Sequence, residues 1–270
     1  MRRRLDTELV RRGLAGSRTD AARLVADGRV LVSGSVALKA ARQVGPGEPV
    51  VVQGPPARFV GRGAEKLEGA LDAFALDPTG LRVLDAGAST GGFTDCLLQR
   101  GAASVTALDV GHGQLHERLR ADPRVEVVER TNLRHVDPTA SPAYDAVVAD
   151  LSFISLTTVM PVLVASCADG GWLVLLVKPQ FEAGRAEASR GRGVISDPAV
   201  WRDALERVVR AATDAGASMM GVMPSPLHGA DGNTEFLLHL VHAAAGPDGS
   251  ATPVDVAALD AAVAAAEAAA

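Results

Sequence analysis

Residues 84–98 read LDAGASTGGFTDCLL: an apolar run ends in an acid, three glycines follow within six residues, and a helical pattern opens at Phe93. Glycines at such a turn let the backbone approach a ligand closely and swing into a helix start, where free N–H groups face the ligand. A Gly-rich turn is a weak signal by itself. It gains weight from Asp109, which closes the next apolar run, Ser104–Asp109, 24 residues after Asp85. A carboxylate about 20 residues beyond such a loop is placed to accept ribose hydroxyls. Dinucleotides and S-adenosylmethionine share this geometry. The loop lacks the GxGxxG order, and Asp85 would repel a pyrophosphate but suits a methionine ammonium. S-adenosylmethionine is therefore the expected cofactor. Its expected contacts are Asp85, Gly87, Ala88, Ser89, Thr90, Gly91, Gly92, Phe93, Asp109 and Asp150, with Asn132 on the adenine side.

Outward from this loop, strand-like runs alternate with helical patterns. Strands are expected at 81–84, 104–109, 125–129, 144–150, 172–178, 219–223 and 235–241, and helices near 64–75, 91–100, 113–120, 157–168 and 197–215. Ser196-Asp197-Pro198 supplies a cap and a first-turn proline for the last of these. Alternation of this kind predicts an α/β domain with a mostly parallel, Rossmann-like seven-stranded sheet covered on both faces. Ligands then bind at the carboxyl ends of the strands.

The N-terminal segment reads differently. Leu5, Leu9, Val10 and Leu14 form one helical stripe, and Ser17 or Thr19 can cap a second helix through Ala21, Leu24 and Val25 that ends at Gly28. Short strands are expected at Val30–Val32 and Val50–Val52, with a turn at Ser33-Gly34. Residues 1–60 hold 11 Lys/Arg against 5 Asp/Glu, whereas the remainder holds 16 against 27, so the basic end is where a polyanion would dock. Candidate RNA-binding residues are Arg2, Arg3, Arg4, Arg11, Arg12, Arg18, Arg23, Arg29 and Arg62. The stretch SRTDAARLVADGRVLVSGSV, residues 17–36, resembles the alpha-L RNA-binding domain. That resemblance implies recognition of folded RNA by shape and phosphate contact. The expected division is an N-terminal α+β domain at 1–54, a linker at 55–63 marked by Gly54-Pro-Pro56, the α/β domain at 64–244, and a disordered or weakly helical tail at 245–270.

Two cysteines, Cys96 and Cys167, stand in apolar surroundings without CxxC spacing, which argues against a disulfide framework or zinc and fits a reducing cytoplasm. No run approaches the roughly 18 apolar residues of a membrane span. His112 and His116 stand four apart, but no third ligand is near, and a surface position is the expectation.

Four charges stand where strands meet ligands. Lys66 opens the second domain, Asp150 and Lys178 end the fourth and fifth expected strands, and Glu235 opens the last. Neighbouring parallel strands bring their ends to one rim, and an antiparallel last strand brings its start there. The motifs RGAEKL, LDAGASTGGFTD, ADLSFISL, LVKPQFEAGR, GVISDP and GNTEFLL, in this order, resemble the TlyA-type rRNA 2′-O-methyltransferases, also called hemolysin A, whose methyltransferase domain is similar to FtsJ. The resemblance implies a Lys-Asp-Lys-Glu tetrad at Lys66, Asp150, Lys178 and Glu235 that methylates ribose 2′-hydroxyls, at cytidine in 16S rRNA, 23S rRNA or both. The expected partner is ribosomal RNA within ribosomal subunits, bound by a cytoplasmic monomer that uses no metal and no membrane.

Lys178 would be the base or the final guide of the ribose proton. A lysine of ordinary pKa is a poor base at neutral pH. Desolvation and the cation Lys66 push it down, while Asp150 and Glu235 push it up. Phe153 and Phe181 each follow a central tetrad residue by three positions and are expected in the core or pocket wall, one of them against an extruded nucleotide. Residues 184–193, GRAEASRGRG, read as a mobile basic loop suited to phosphates. Three other readings compete: a membrane-active hemolysin, which liposome leakage would reveal, a non-catalytic RNA-binding assembly factor, which would not need the four charges, and a small-molecule methyltransferase, which the basic N-terminal domain disfavours.

Overall fold

The computed structural model describes residues 2–16, 18–54, 58–183, 194–229, 231–242 and 255–269. The chain folds as two compact units, residues 1–61 and 62–270.

In the first unit, β1 (Arg3–Arg4) leads into α1 (Leu5–Arg11) and α2 (Arg18–Ala26), followed by β2 (Val30–Val32), β3 (Ser35–Val36), β4 (Gln43–Val44) and β5 (Val50–Val52). The strands β3, β2 and β5 form an antiparallel sheet, and β1 pairs with β4. The helical stripes predicted from sequence are what bury: Leu5, Leu9, Ala21, Leu24 and Val25 pack with Val30, Val32 and Val44 in one core. Of the two expected caps, Ser17 and the side chain of Thr19 lie outside the described residues.

The second unit runs α3 (Gly63–Ala73), β6 (Arg82–Ala86), α4 (Gly92–Gln99), β7 (Ser104–Leu108), α5 (Glu117–Arg120), β8 (Val125–Val128), β9 (Tyr144–Ala149), α6 (Leu156–Ser166), β10 (Cys167–Val177), α7 (Pro179–Glu182), α8 (Pro198–Asp214), β11 (Ala217–Pro224), β12 (Phe236–His242) and α9 (Val256–Ala269). Seven strands form one sheet in the order β11-β12-β10-β9-β6-β7-β8. Strands β10, β9, β6, β7 and β8 are parallel, while β12 runs antiparallel to both β10 and β11. The central strands carry near-continuous apolar runs because helices cover both faces. The carboxyl ends of β6, β7, β9 and β10 thus share a rim with the entrance to β12.

Three expectations need correction. The helix expected at 113–120 is only Glu117–Arg120, and His116 is its N-cap, its Nδ1 accepting from the Arg118 N–H at 3.1 Å. His112 and His116 are therefore not on one helix face. Strand β10 begins five residues early, at Cys167, and shifts register before Trp172. The tail, expected to be disordered or weakly helical, contains a packed helix, α9, which buries Leu259, Ala262, Val263 and Ala266 against the main core and joins Asp260 to Arg202 of α8 at 2.8 Å. These four positions recur at i, i+3, i+4 and i+7, a helical face that is hard to see in an alanine-rich run.

Candidate active site

The loop after β6 is held open by its glycines and by one serine. Gly87 has φ +88°, and a Cβ there would lie 2.6 Å from the Asp150 carbonyl oxygen. Gly91 has φ +96°, and a Cβ there would lie 2.2 Å from a Leu119 methyl. Ser89 holds a left-handed conformation, φ 48°, that a side-chain-bearing residue adopts at a cost. Its N–H donates to Asp109 Oδ2 at 2.8 Å, and the Gly111 N–H donates to Asp109 Oδ1 at 2.6 Å. Asp109 therefore ties the glycine loop to the turn after β7 and keeps the remaining lone pairs of both oxygens for a ligand.

A cleft of about 500 Å³ opens beside this loop, lined by Gly87, Ser89, Asp109, Asn132 and Asp150 among the expected residues. A smaller recess of about 190 Å³, lined by Gly63, Ala88, Thr90, Gly92, Phe93 and Lys178, shares Gly87, Ser89, Asp150 and Ser152 with it. Asp85 and Gly91 line neither. Gly91 is buried against Leu115 and Leu119, so its part is to shape the loop.

Asp85 is fully buried beneath the loop, where Thr94 Oγ1 donates to its Oδ2 at 2.6 Å while Oδ1 has no partner. Burial pushes its carboxyl up to about 7, with Asp150 and Asp109 adding to the rise and Thr94 opposing it. Asp85 thus anchors the start of α4 through Thr94, and it lines neither the cleft nor the recess.

The four tetrad side chains converge as two ion pairs. Lys178 Nζ lies 2.5 Å from Asp150 Oδ1 and donates to Ser152 Oγ at 3.1 Å. Lys66 Nζ donates to Glu235 Oε2. Register sets this meeting: Val177 of β10 stands opposite Phe236 of β12, so Lys178 and Glu235 occupy the next positions along adjoining antiparallel strands. The Asp150 N–H donates to the Ala86 carbonyl at 3.1 Å, which fixes Asp150 against the end of β6. Lys66, Lys178 and Glu235 are buried, and Asp150 is half-buried facing the cleft. Four such groups at one strand rim are costly to desolvate unless paired, and pairing is what the rim supplies.

Sequence reasoning missed several lining residues. Ser152 accepts a hydrogen bond from Lys178, Gln114 accepts from Ser89 Oγ at 3.2 Å, and Thr131, Arg134 and Ile154 line the cleft. None carries a spacing signal. Phe153 is 92% exposed on the cleft wall with φ 65°, its ring centroid 5.4 Å from that of Phe181. Of the two expected places, core or pocket wall, Phe153 takes the wall. The basic loop expected at 184–193 lies outside the described residues.

In the first unit the arginines are not free charges. Arg4 and Arg18 share Asp6; Arg11 and Arg12 share Glu8, with Arg3 3.9 Å from it; Arg23 pairs with Asp20 and Arg2 with Glu48. Arg12 also donates to the Glu48 carbonyl at 2.9 Å and Arg29 to the Gln53 carbonyl at 2.9 Å, so both act within the unit's own framework. Arg62, in the second unit, is the residue before α3.

Comparison with known proteins adds independent findings. The model of the FtsJ-like methyltransferase family matches residues 59–242, and that of the S4 domain matches residues 3–50. The chain is 51% identical over 241 residues, 88% of its length and 90% of the relative's, to the 16S/23S rRNA (cytidine-2′-O)-methyltransferase TlyA of Mycobacterium tuberculosis. It is 37% identical to Hemolysin A of Brachyspira hyodysenteriae over 88% of this chain and 99% of that protein. A solved structure of a candidate hemolysin from Streptococcus thermophilus superposes with a TM-score of 0.78 at 37% identity, covering 98% of this chain and 96% of the other.

Proposed function

The chain belongs to the FtsJ-like methyltransferase family and carries an S4 domain, and from this we propose that it methylates ribose 2′-hydroxyls of cytidine in ribosomal RNA with S-adenosylmethionine as donor. It is an rRNA 2′-O-methyltransferase, as its similarity to TlyA and its FtsJ-like domain support. We propose further that it works as a monomer on ribosomal subunits in the cytoplasm. The observation that carries this reading is the Lys178–Asp150 pair on the wall of the recess that joins the glycine-loop cleft, with the buried Lys66–Glu235 pair at the adjoining strand position.

The residues fit the donor. The close backbone approach at Gly87, the strained Ser89 and the spare lone pairs of Asp109 make a cradle that a Cβ at Gly87 would fill. Asp109 would hold the ribose hydroxyls, Asn132 the adenine side, and Gly87 to Ser89 the amino-acid end. When bound, S-adenosylmethionine supplies a methyl group already activated by its sulfonium, so alignment and removal of one proton remain for the protein.

Lys178 carries that task. Asp150 and Ser152 hold its ammonium from two sides, which leaves a third donor direction for the ribose oxygen and orients that oxygen. The proton moves by relay: Lys178 passes a proton to the Asp150 carboxylate and takes the one leaving the ribose hydroxyl, so Asp150 holds the net proton, while the Lys66–Glu235 pair stands at the adjoining strand position. Phe153, exposed at the cleft wall, offers a ring to the extruded nucleotide. Arginines of the first unit supply phosphate contacts.

Incubating the protein with ribosomal subunits and methyl-labelled donor tests the proposal. Label is expected on the ribose of cytidine, where it blocks alkaline cleavage of the adjoining linkage. Label on a base, or none, would overturn it. No described helix is long and apolar enough to cross a membrane, and the hemolysin names of relatives enter this reading as names only.

A further inference from the structure

Asp6 is an acid in the most basic part of the chain, and it is 3% exposed. Two arginines from different elements meet on it. Arg4, the residue before α1, grips it through Nε, at 3.1 and 3.2 Å from the two oxygens, and through Nη2, at 2.7 Å from Oδ2. Arg18, at the start of α2, reaches Oδ2 through Nη2 at 3.3 Å. The Thr7 N–H and Thr7 Oγ1 donate to Oδ1 at 2.7 and 3.1 Å, which fixes the carboxylate itself. The arginine side chains stay 46% and 63% exposed, although the acid between them is hidden. The Arg4 bonds hold the Asp6 carboxyl well below the usual carboxylate range, so it remains an anion at any working pH.

We propose that Asp6 is a positioning residue for RNA: it draws the guanidinium groups of Arg4 and Arg18 into one fixed pair whose outward donors grip a backbone phosphate. A guanidinium has five donors in a rigid fork. Asp6 occupies some of them on each arginine and leaves the others facing solvent. Free in solution, these side chains would sample many rotamers and lose that freedom on binding RNA. Here the loss is met on folding. The inference deepens the reading that the first unit grips ribosomal RNA, and rests on it.

The proposal predicts the opposite of simple electrostatics. Asp6→Asn removes a negative charge, so long-range attraction for RNA would rise and binding would tighten. If Asp6 presets the arginines, Asp6→Asn instead weakens binding of the full-length protein to ribosomal subunits by about tenfold, the scale of two released side chains. The second arm is Arg4→Gln with Arg18→Gln, which should weaken binding at least as much and lower the salt slope by about 2. Adding Asp6→Asn to that double variant should cost nothing more, because the groups it positions are gone. Cofactor affinity and far-UV circular dichroism, measured on every variant, separate loss of grip from loss of fold.

If Asp6→Asn binds as tightly as the parent or tighter while the arginine variant binds weakly, the positioning role is wrong and the RNA reading stands. If the arginine variant binds normally, the RNA reading of these residues falls with it. If Asp6→Asn weakens binding equally with and without the arginines, the residue is structural only, and the proposal is overturned. Should Asp6→Asn fail to fold, Asp6→Glu keeps the charge but moves it one methylene. The positioned pair then predicts weaker binding with a native spectrum, and parental affinity would refute it.

Discussion

Lys178 shows how much one position can decide. Loss of a group that moves a proton costs roughly 10²- to 10⁴-fold in rate, so Lys178→Ala should abolish measurable methyl transfer while cofactor and subunit binding persist. Lys178→Arg should fail as well, because a planar fork fits poorly between Asp150 and Ser152 and accepts no proton. An active Arg variant in a methylation assay would reduce Lys178 to a strand cap. Asp85 gives a prediction in pH. Its carboxyl titrates at 3.8 when unfolded and about 7 when folded, so the folded chain holds the proton more tightly. The stability this contributes is full below the unfolded value and is lost as pH rises through about 7. The unliganded protein should lose several degrees of Tm between about pH 5 and pH 8 by this route. Asp85→Asn should flatten that slope in calorimetry, and an unchanged slope would refute the assignment. The tetrad letters were legible in sequence because charge at the end of an apolar run is conspicuous. Which carboxylate faces a cleft and which lies beneath a loop was not legible, since that depends on the turn's path. Asp85 and Asp109 look alike as letters and differ wholly in exposure.

Elements were read well where period and caps agreed, and poorly where composition hid the period. The seven strands of the sheet and α8, with Asp197 as its cap and Pro198 behind it, stand near their expected places. Helix α9 reads in sequence as weak helix at most because alanine counts weakly as apolar, although its buried face is regular. It makes a test of its own: Leu259 is fully buried against the core, so Leu259→Ala should cost about 2–5 kcal/mol, read as a lower denaturation midpoint of the whole chain. An unchanged midpoint would mean that α9 does not belong to the cooperative unit. At the other end of the sheet, Glu182 of α7 reaches across to α6, accepting from Ser155 Oγ at 2.5 Å and the Leu156 N–H at 2.8 Å. Segments that follow Lys178 and Asp150 are thereby fastened to each other, and no spacing in the sequence announces the contact.

On the scale of the molecule, the division into a basic unit and an acidic one was visible in charge alone, whereas its chemistry needed the fold. Glu8 shows why. Its carboxyl is held down to about 2 by Arg11 and then Arg12, so the stability it gives is present above its ordinary 4.5 and is lost as pH falls toward 2. The first unit is thus stabilised at neutral pH by the same arginines that make it basic. Removing residues 1–54 should leave cofactor binding by the remainder unchanged and abolish methylation of ribosomal subunits. Full-rate methylation by the truncated chain would show that the basic unit is dispensable.

The Lys66–Glu235 pair closes a loop of 169 residues, and this bears on how the protein is made. Until Glu235 has been translated, Lys66 has no counter-ion and the last central strand has no partner at β10. A chain that stops short of Glu235 therefore lacks one member of the tetrad, and a stop codon upstream of position 235 is expected to leave a null product in place of a weakened one. Activity arrives all at once during synthesis, in the step that brings position 235 to the rim.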